Sequence, residues 1–553
     1  MINILQKKHL LVILSLIFLI GIFLRFYRLS EFPVGFHIDE AISAVNGYFI
    51  SQTGKDSNND RFPLQTEVFG DYNPTGYAYL TIFPIKLFGL NEFSTRFPGA
   101  LLGALTILAC FLLAYSLFKN KTVSLLSAFL VAISPWHINF SRSSEETLIS
   151  LFFVVLGFAL IFLSFANQKI KFIIFGTMLL IVSYFMYFTP RIFVPLIFLA
   201  ILVLLFNFWH EQKNIKYKNY LLLSFAFLTI LAFFLVFITE GGGDRFKQIS
   251  VFNSLGTNLV KEEQIREDGV MHTNVKITQL FHNKITNNFS AYASNYLDYF
   301  SGNFLFIKGG LPIWFRTEGI GLVYLVELPF LLIGIVLLSV NKNKMYKLPL
   351  LWLLIAPLAA AMTIDDIPNV RRSLVMLPMI EIISAFGFLY ILKKTSKLLR
   401  ISVIFITAIF LIYNFVSFIH QYFAHMPIHK NWYRNEGFGE MVKTVKNSYG
   451  KADKIIITKD AGGIYPLILF YMQYDPKTYQ LEGSPKDAPY KGFGKFFFVP
   501  QACPSTDKDD RFPKGRLIYV DNGTCLDSKI LLDKKKTFID RRDRTRAFRI
   551  VYD

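Results

Sequence analysis

The chain has 553 residues, 53% of them hydrophobic, with 59 Phe and a mean hydropathy of +0.41. A soluble globular protein sits nearer zero or below, so lipid is the expected solvent for most of the chain. The net charge of +19 does not indicate a nucleic-acid partner, because many Lys and Arg residues fall in short loops between apolar runs, where they set orientation and meet anionic headgroups.

The first apolar run, 10–27, follows Lys7 and Lys8. Arg25, Arg28 and Phe32-Pro33 come where a small-residue cleavage site would stand, so it reads as an uncleaved transmembrane helix. A bilayer core of about 30 Å needs about 20 apolar residues in helix. Ten further runs approach this: 97–118, 122–138, 147–166, 172–189, 192–209, 220–239, 319–340, 348–363, 373–392 and 401–420. The predicted fold class is thus an α-helical multi-pass membrane protein of about eleven transmembrane helices. Loops 119–121, 167–171, 210–219, 341–347 and 393–400 are basic and hold one acid, Glu211. The intervening loops hold nearly all the carboxylates. The positive-inside rule then predicts a cytoplasmic N-terminus and an extracytoplasmic C-terminus, in agreement with an odd number of crossings.

Residues 75–90 are apolar but short, and contain Pro84 and Lys86. They read as an interfacial helix within a long outer loop, 28–96. A second outer region, 240–318, begins with Gly241-Gly242-Gly243 and holds amphipathic stretches that could fold over a site. Residues 1–420 therefore form a membrane domain. Beyond 420, Lys454–Thr458, Phe496–Val499 and Leu517–Val520 read as strands and Ile464–Tyr474 as a helix, predicting a small extracytoplasmic α/β domain at 425–553. Cys110 reads as a packing residue, and Cys503 and Cys525 could pair in an oxidising space.

Asp39 and Glu40 adjoin just after the first span. Two readings fit them. They could be an acidic pair stabilised by a helix N-terminus, or a catalytic pair in which one acts as general base and the other orients it. His37, Asp71 and Tyr72 lie in the same loop, and Glu145 and Glu146 open the fourth span. Convergent acids repel one another unless a site compensates them. Arg142, Arg191, Lys308, Arg371 and Arg372 are the candidate cations, singly explained by snorkelling, together suited to a phosphate or pyrophosphate headgroup. Glu327 and Glu381 lie within spans and read equally as functional or as bundle hydrogen-bonding groups. No His/Cys/Asp cluster has metal spacing, so no metal ligand is assigned. Walker loop, dinucleotide fingerprint and nucleophile elbow are absent from the sequence, which removes support for ATP-driven transport and serine hydrolysis.

His37-Ile38-Asp39-Glu40-Ala41, Phe69-Gly70-Asp71-Tyr72-Asn73-Pro74, Arg96-Phe97-Pro98-Gly99-Ala100, Ser134-Pro135-Trp136-His137 with Ser141-Arg142, and Arg371-Arg372 before Pro378 resemble the membrane glycosyltransferases of the C-type fold, in the family 39 and aminoarabinose-transferase-like group, over residues 1–420. The resemblance implies an inverting transfer of a sugar from a polyprenyl-phosphate donor to a lipid, glycan or protein acceptor outside the cytoplasm, in a plasma membrane. It implies Asp39 as general base, Glu40 assisting or orienting it, Asp71 shaping the acceptor or donor site, and Arg and Lys holding the lipid phosphate. It leaves divalent-metal use open and requires no nucleotide-sugar site. Two other readings remain: a transporter or flippase of a lipid-linked sugar, and a non-catalytic envelope scaffold. A transporter predicts internal repeats with broken helices at matching positions, and no such repeat is visible.

Overall fold

The computed structural model describes residues 2–204, 215–237, 250–253, 255–429, 431–460 and 462–553. Gly241-Gly242-Gly243, Glu211 and the ends of the spans expected at 192–209 and 220–239 lie outside them. The chain divides into two compact units. The first comprises Met1–Arg25, Leu101–Ser141 and Glu146–Ile419; the second comprises Phe26–Ala100, Arg142–Glu145 and His420–Asp553.

The first unit is helical and apolar. Among the described residues, seven helices are long and apolar enough to cross a membrane: Lys8–Phe26, Glu92–Phe118, Glu146–Phe165, Lys216–Phe237, Lys344–Ala361, Leu374–Lys394 and Lys397–His425. The pair Lys121–Ile133 and Pro135–Ser141 makes an eighth if taken together, and Ile170–Met186, Thr189–Leu204 and Leu325–Val340 are shorter apolar helices. Each of the eleven runs read from the sequence falls on one of these. The 57° bend in the third is where Pro135 stands. Proline donates no N–H and crowds the residue before it, so Ser134 leaves the helical region with ψ 125°.

Glycines set the closest helix contacts. A Cβ at Gly387 would lie 2.0 Å from the carbonyl oxygen of Phe330, and one at Gly334 would lie 2.3 Å from that of Ile383. The Leu328–Val340 and Leu377–Lys394 helices can therefore meet backbone to backbone.

The second unit carries a five-stranded sheet. Its strands are β3 (Lys454–Thr458), β4 (Phe496–Val499), β5 (Leu517–Asn522), β6 (Lys535–Asp540) and β7 (Arg546–Tyr552), in the order β4-β3-β5-β7-β6. The first three are parallel; β7 runs antiparallel to β5 and to β6. The three strands and the helix read from the sequence are present. The parallel strands are buried on both faces, which is why Ile455-Ile456-Ile457 shows no alternation. Cys503 and Cys525 form a disulfide, with Cα atoms 5.7 Å apart. Arg549 and Asp521, both fully buried, pair at 2.8 Å.

The core of this unit is built from both ends of its sequence. Phe36, Ala41, Val45 and Phe49 pack in one cluster with Met441, Leu467, Phe470 and Phe548. Phe36 stacks on Phe470 at 4.4 Å between ring centroids. The Ile38–Thr53 helix thus lays its apolar side on the α/β layer. A two-stranded ribbon, β1 (Gln65–Val68) and β2 (Asp71–Pro74), and the Gly76–Phe88 helix complete the unit. That helix has 13 residues, about 20 Å, too short to span.

Candidate active site

In the second unit the chemistry gathers at the start of the Ile38–Thr53 helix. His37 is the N-cap, in extended backbone with φ −69° and ψ 150°. Its Nδ1 accepts from the Asp39 amide at 3.3 Å, and the His37 amide donates to Glu40 Oε2 at 3.0 Å. This reciprocal arrangement satisfies two otherwise orphaned amides and fixes the direction in which the helix begins.

The adjacent acids then part company. Glu40 is buried. Arg96 Nε donates to its Oε1 at 2.8 Å, Arg434 Nη2 to its Oε2 at 2.6 Å, and Ser144 Oγ to its Oε1 at 3.2 Å. Burial alone would raise its pKa; the guanidinium of Arg96, then that of Arg434, outweighs this and holds it down at about 2. Arg96 also donates to the carbonyls of Leu29 and Gly35. Glu40 is therefore an ionised clamp closed on two arginines. Asp39 projects differently: its side chain is 37% exposed, with Oδ2 3.6 Å from His37 Nδ1. Of the two acids, Asp39 is the one open to solvent.

Asp71 and Tyr72 open β2 directly after a tight turn. Phe69 and Gly70 have φ of 52° and 83°. Both central residues of a two-residue hairpin loop are thus left-handed, the arrangement that suits the strand twist and favours glycine. Gly70 donates to Glu67 Oε1 at 2.6 Å, and Glu67 pairs with Lys486. The Phe69 ring meets Tyr465 edge-on at 5.7 Å. Arg142 is fully buried: it donates to the carbonyls of Tyr27 at 2.7 Å and Phe32 at 3.2 Å and to Tyr422 Oη at 3.2 Å, and lies over the rings of Tyr422 and Phe423. Its guanidinium ties loops together. Glu145, also in this unit, is buried.

In the first unit, Glu146 pairs with Arg371 at 3.4 Å. Arg371 and Arg372 follow Asn369, whose Oδ1 accepts both their amides at 2.9 Å. Arg372 donates to Thr363 Oγ1 at 2.7 Å and to the Asp365 carbonyl at 2.9 Å. Both arginines line a narrow cleft with Thr147, Ser150, Tyr187 and Thr189. Arg191 and Lys308 do not line it. Arg191 is buried against the carbonyls of Tyr184 and Leu235, and Lys308 is exposed beyond the Asn303–Ile307 turn. Glu327 and Glu381 are buried in the bundle. Among the described residues no three His, Cys, Asp or Glu side chains converge to hold a metal ion.

Sequence reading missed Arg96, Arg434 and Ser144. Arg96 stands in the Arg96-Phe97-Pro98-Gly99-Ala100 motif, where nothing local assigns it a partner. Arg434 sits in Asn431-Trp432-Tyr433-Arg434, with nothing local to connect it with residue 40.

The dolichyl-phosphate-mannose-protein mannosyltransferase family profile matches residues 72–237. In structure the chain resembles the oligosaccharyltransferase AglB of Archaeoglobus fulgidus, solved with an inhibitory peptide and a dolichol-phosphate, with TM-score 0.55 and 15% identity over 84% of this chain and 64% of that one. It also resembles ArnT of Cupriavidus metallidurans, solved with undecaprenyl phosphate, with TM-score 0.53 and 10% identity over 99% of this chain and 98% of that one. The chain has the C-type glycosyltransferase fold. It is a membrane protein with a small C-terminal sheet domain, and the fold implied by the resemblance is borne out. It spans just under two thirds of the archaeal oligosaccharyltransferase's length, and nearly all of ArnT's. No curated protein matches it in sequence.

Proposed function

We propose that this chain is an inverting glycosyltransferase that moves a sugar from a polyprenyl-phosphate donor to an acceptor hydroxyl or amine on the extracytoplasmic side of the membrane. The observation that carries the reading is the division of labour in Asp39-Glu40. Glu40 is neutralised by Arg96 and Arg434, which leaves Asp39, at a capped helix start and partly exposed, as the general base. Asp39 takes the acceptor proton as the acceptor attacks the anomeric carbon. The C–O bond to phosphate breaks on the opposite face, and the polyprenyl phosphate leaves with the electron pair.

Phosphate is already a competent leaving group, so cations that stabilise its developing charge suffice beside one base. Arg371 and Arg372, at the cleft with Tyr187 and Thr189, are assigned to it. His37 and Glu40 position Asp39. Asp71 and Tyr72, at the hairpin, are assigned to the acceptor or sugar. Arg142 and Arg191, occupied by backbone carbonyls, are positioning residues. The Cys503–Cys525 disulfide supports an oxidising, extracytoplasmic location for the sheet domain.

The test supplies polyprenyl-phosphate sugars to the purified protein in detergent and measures released polyprenyl phosphate. Asp39→Asn is expected to lower kcat by about 10² to 10⁴ with folding retained. Equal turnover in that variant removes Asp39 from the base role; donor binding with no release by the native protein identifies a carrier. Arg371→Gln and Arg372→Gln are expected to raise KM for the donor by about ten- to a hundredfold each, the worth of a charge-assisted hydrogen bond.

A further inference from the structure

The Lys284–Asp298 helix of the first unit is amphipathic in an unusual sense. Helical spacing sorts its residues into three rows. One row docks on the bundle. Asn288 is buried, Tyr292 Oη reaches the Leu358 carbonyl at 3.5 Å, and Asn295 Nδ2 donates to the carbonyls of Ala361 and Thr363 at 3.3 and 3.2 Å. Tyr296 Oη, beside that row, donates to the Leu354 carbonyl at 2.8 Å. A second row, Ser290, Ser294 and Asp298, is exposed and polar. The third row is apolar and also exposed: Ile285 at 81%, Phe289 at 68% and Leu297 at 65%, spaced by four or eight residues.

A helix that packs on a protein core in water does so through its apolar stripe. Here polar and aromatic groups make the docking contacts, and the apolar stripe is left outside. The preceding Val275–Phe281 helix also leaves apolar side chains outside, with Leu280 64% and Phe281 60% exposed. The carbonyls of Leu358, Ala361 and Thr363, which receive the docking row, lie at or just past the end of the apolar span Lys344–Ala361, and that of Leu354, which receives Tyr296, lies within it, so the helix docks against the end of that span. Lys276 and Lys284 flank the apolar row, and Tyr292 and Tyr296 stand beside it. Such residues are those that anchor a segment among lipid phosphates and glycerol esters.

We propose that residues 275–297 lie in the membrane interface, with Ile285, Phe289 and Leu297 inserted among the acyl chains of the surrounding phospholipid and Lys276 and Lys284 on its phosphates. The occupant of the apolar face is lipid. The bundle covers one side of the helix, lipid the second and water the third. This inference is independent of the reaction and of which side of the membrane the segment occupies.

Nitroxide labels on the full chain test it. Among the described residues Cys110, buried, is the one unpaired cysteine, so single cysteines at chosen positions label selectively. Ile285→Cys, Phe289→Cys and, as the polar control, Glu263→Cys are reconstituted in phosphatidylcholine–phosphatidylglycerol nanodiscs. Collision with lipid-soluble oxygen is compared with collision with a water-soluble nickel chelate. The oxygen-to-nickel ratio is expected to exceed unity at 285 and 289 and to fall below it at 263. A ratio below unity at 285 and 289 places the row in water and overturns the proposal. Protection from both reagents places it against protein, a second copy included, and overturns it equally.

Discussion

Glu40 and Asp39 show how far one peptide bond separates two chemical fates. The unfolded carboxyl of Glu40 titrates near 4.5 and the folded one near 2. Its contribution to stability is therefore complete above pH 4.5 and is lost as the pH falls through 2. The difference is worth on the order of 3 kcal/mol. Glu40→Gln is expected to lower stability at neutral pH by about 3 to 5 kcal/mol, because it strands two buried guanidiniums, and to flatten the acid limb of a stability profile measured by thermal unfolding in detergent. An unchanged acid limb would show that Glu40 is not the titrating group. The adjacency of the acids and their place after the first span were visible in the sequence. Which of them would be spent as a clamp was not, because that depends on Arg96 and on Arg434, 394 residues further on.

Among elements, the apolar helices were the most legible, since about 20 apolar residues with basic loops leave few alternatives in lipid. The strands Lys454–Thr458 and Phe496–Val499 were readable as short β-rich runs. The β1–β2 ribbon was not: its turn, Phe69-Gly70, places a bulky residue in the left-handed region, where propensity argues against it. β6 and β7 were also missed, because their charged residues break the apolar pattern. The close glycine contacts give an element-scale expectation. Gly387→Leu must displace the Phe330 carbonyl or the neighbouring helix, and is expected to destabilise the bundle by more than about 2 kcal/mol, read as a lowered midpoint of thermal aggregation. Gly269→Leu, in open space on the Leu255–Val270 helix, is the matched control and should leave the midpoint unchanged.

At the scale of the whole molecule, chain order and structural unit do not coincide. The second unit joins residues 26–100 to the C-terminal sheet through one apolar core. The loop at 28–96 and the C-terminal α/β region were each legible as separate segments of sequence. Their union was not, since it rests on contacts such as Phe36 with Phe470 that no local pattern announces. A chain ended at residue 430 is expected to lose protection of the Ile38–Thr53 helix in amide hydrogen exchange, with the proposed glycosyl-transfer activity lost alongside. Retained protection would mean that the helix is held by its own loop.

The long span between Glu40 and Arg434 also sets a clock on biogenesis. A ribosome adding 5 to 20 residues per second takes roughly 20 to 80 s to travel from one to the other. Throughout that interval the carboxylate of Glu40 lacks the second of its two cationic partners. The C-terminal sheet region thus closes a loop made long before it, and the Glu40 clamp is complete only once Arg434 has been added.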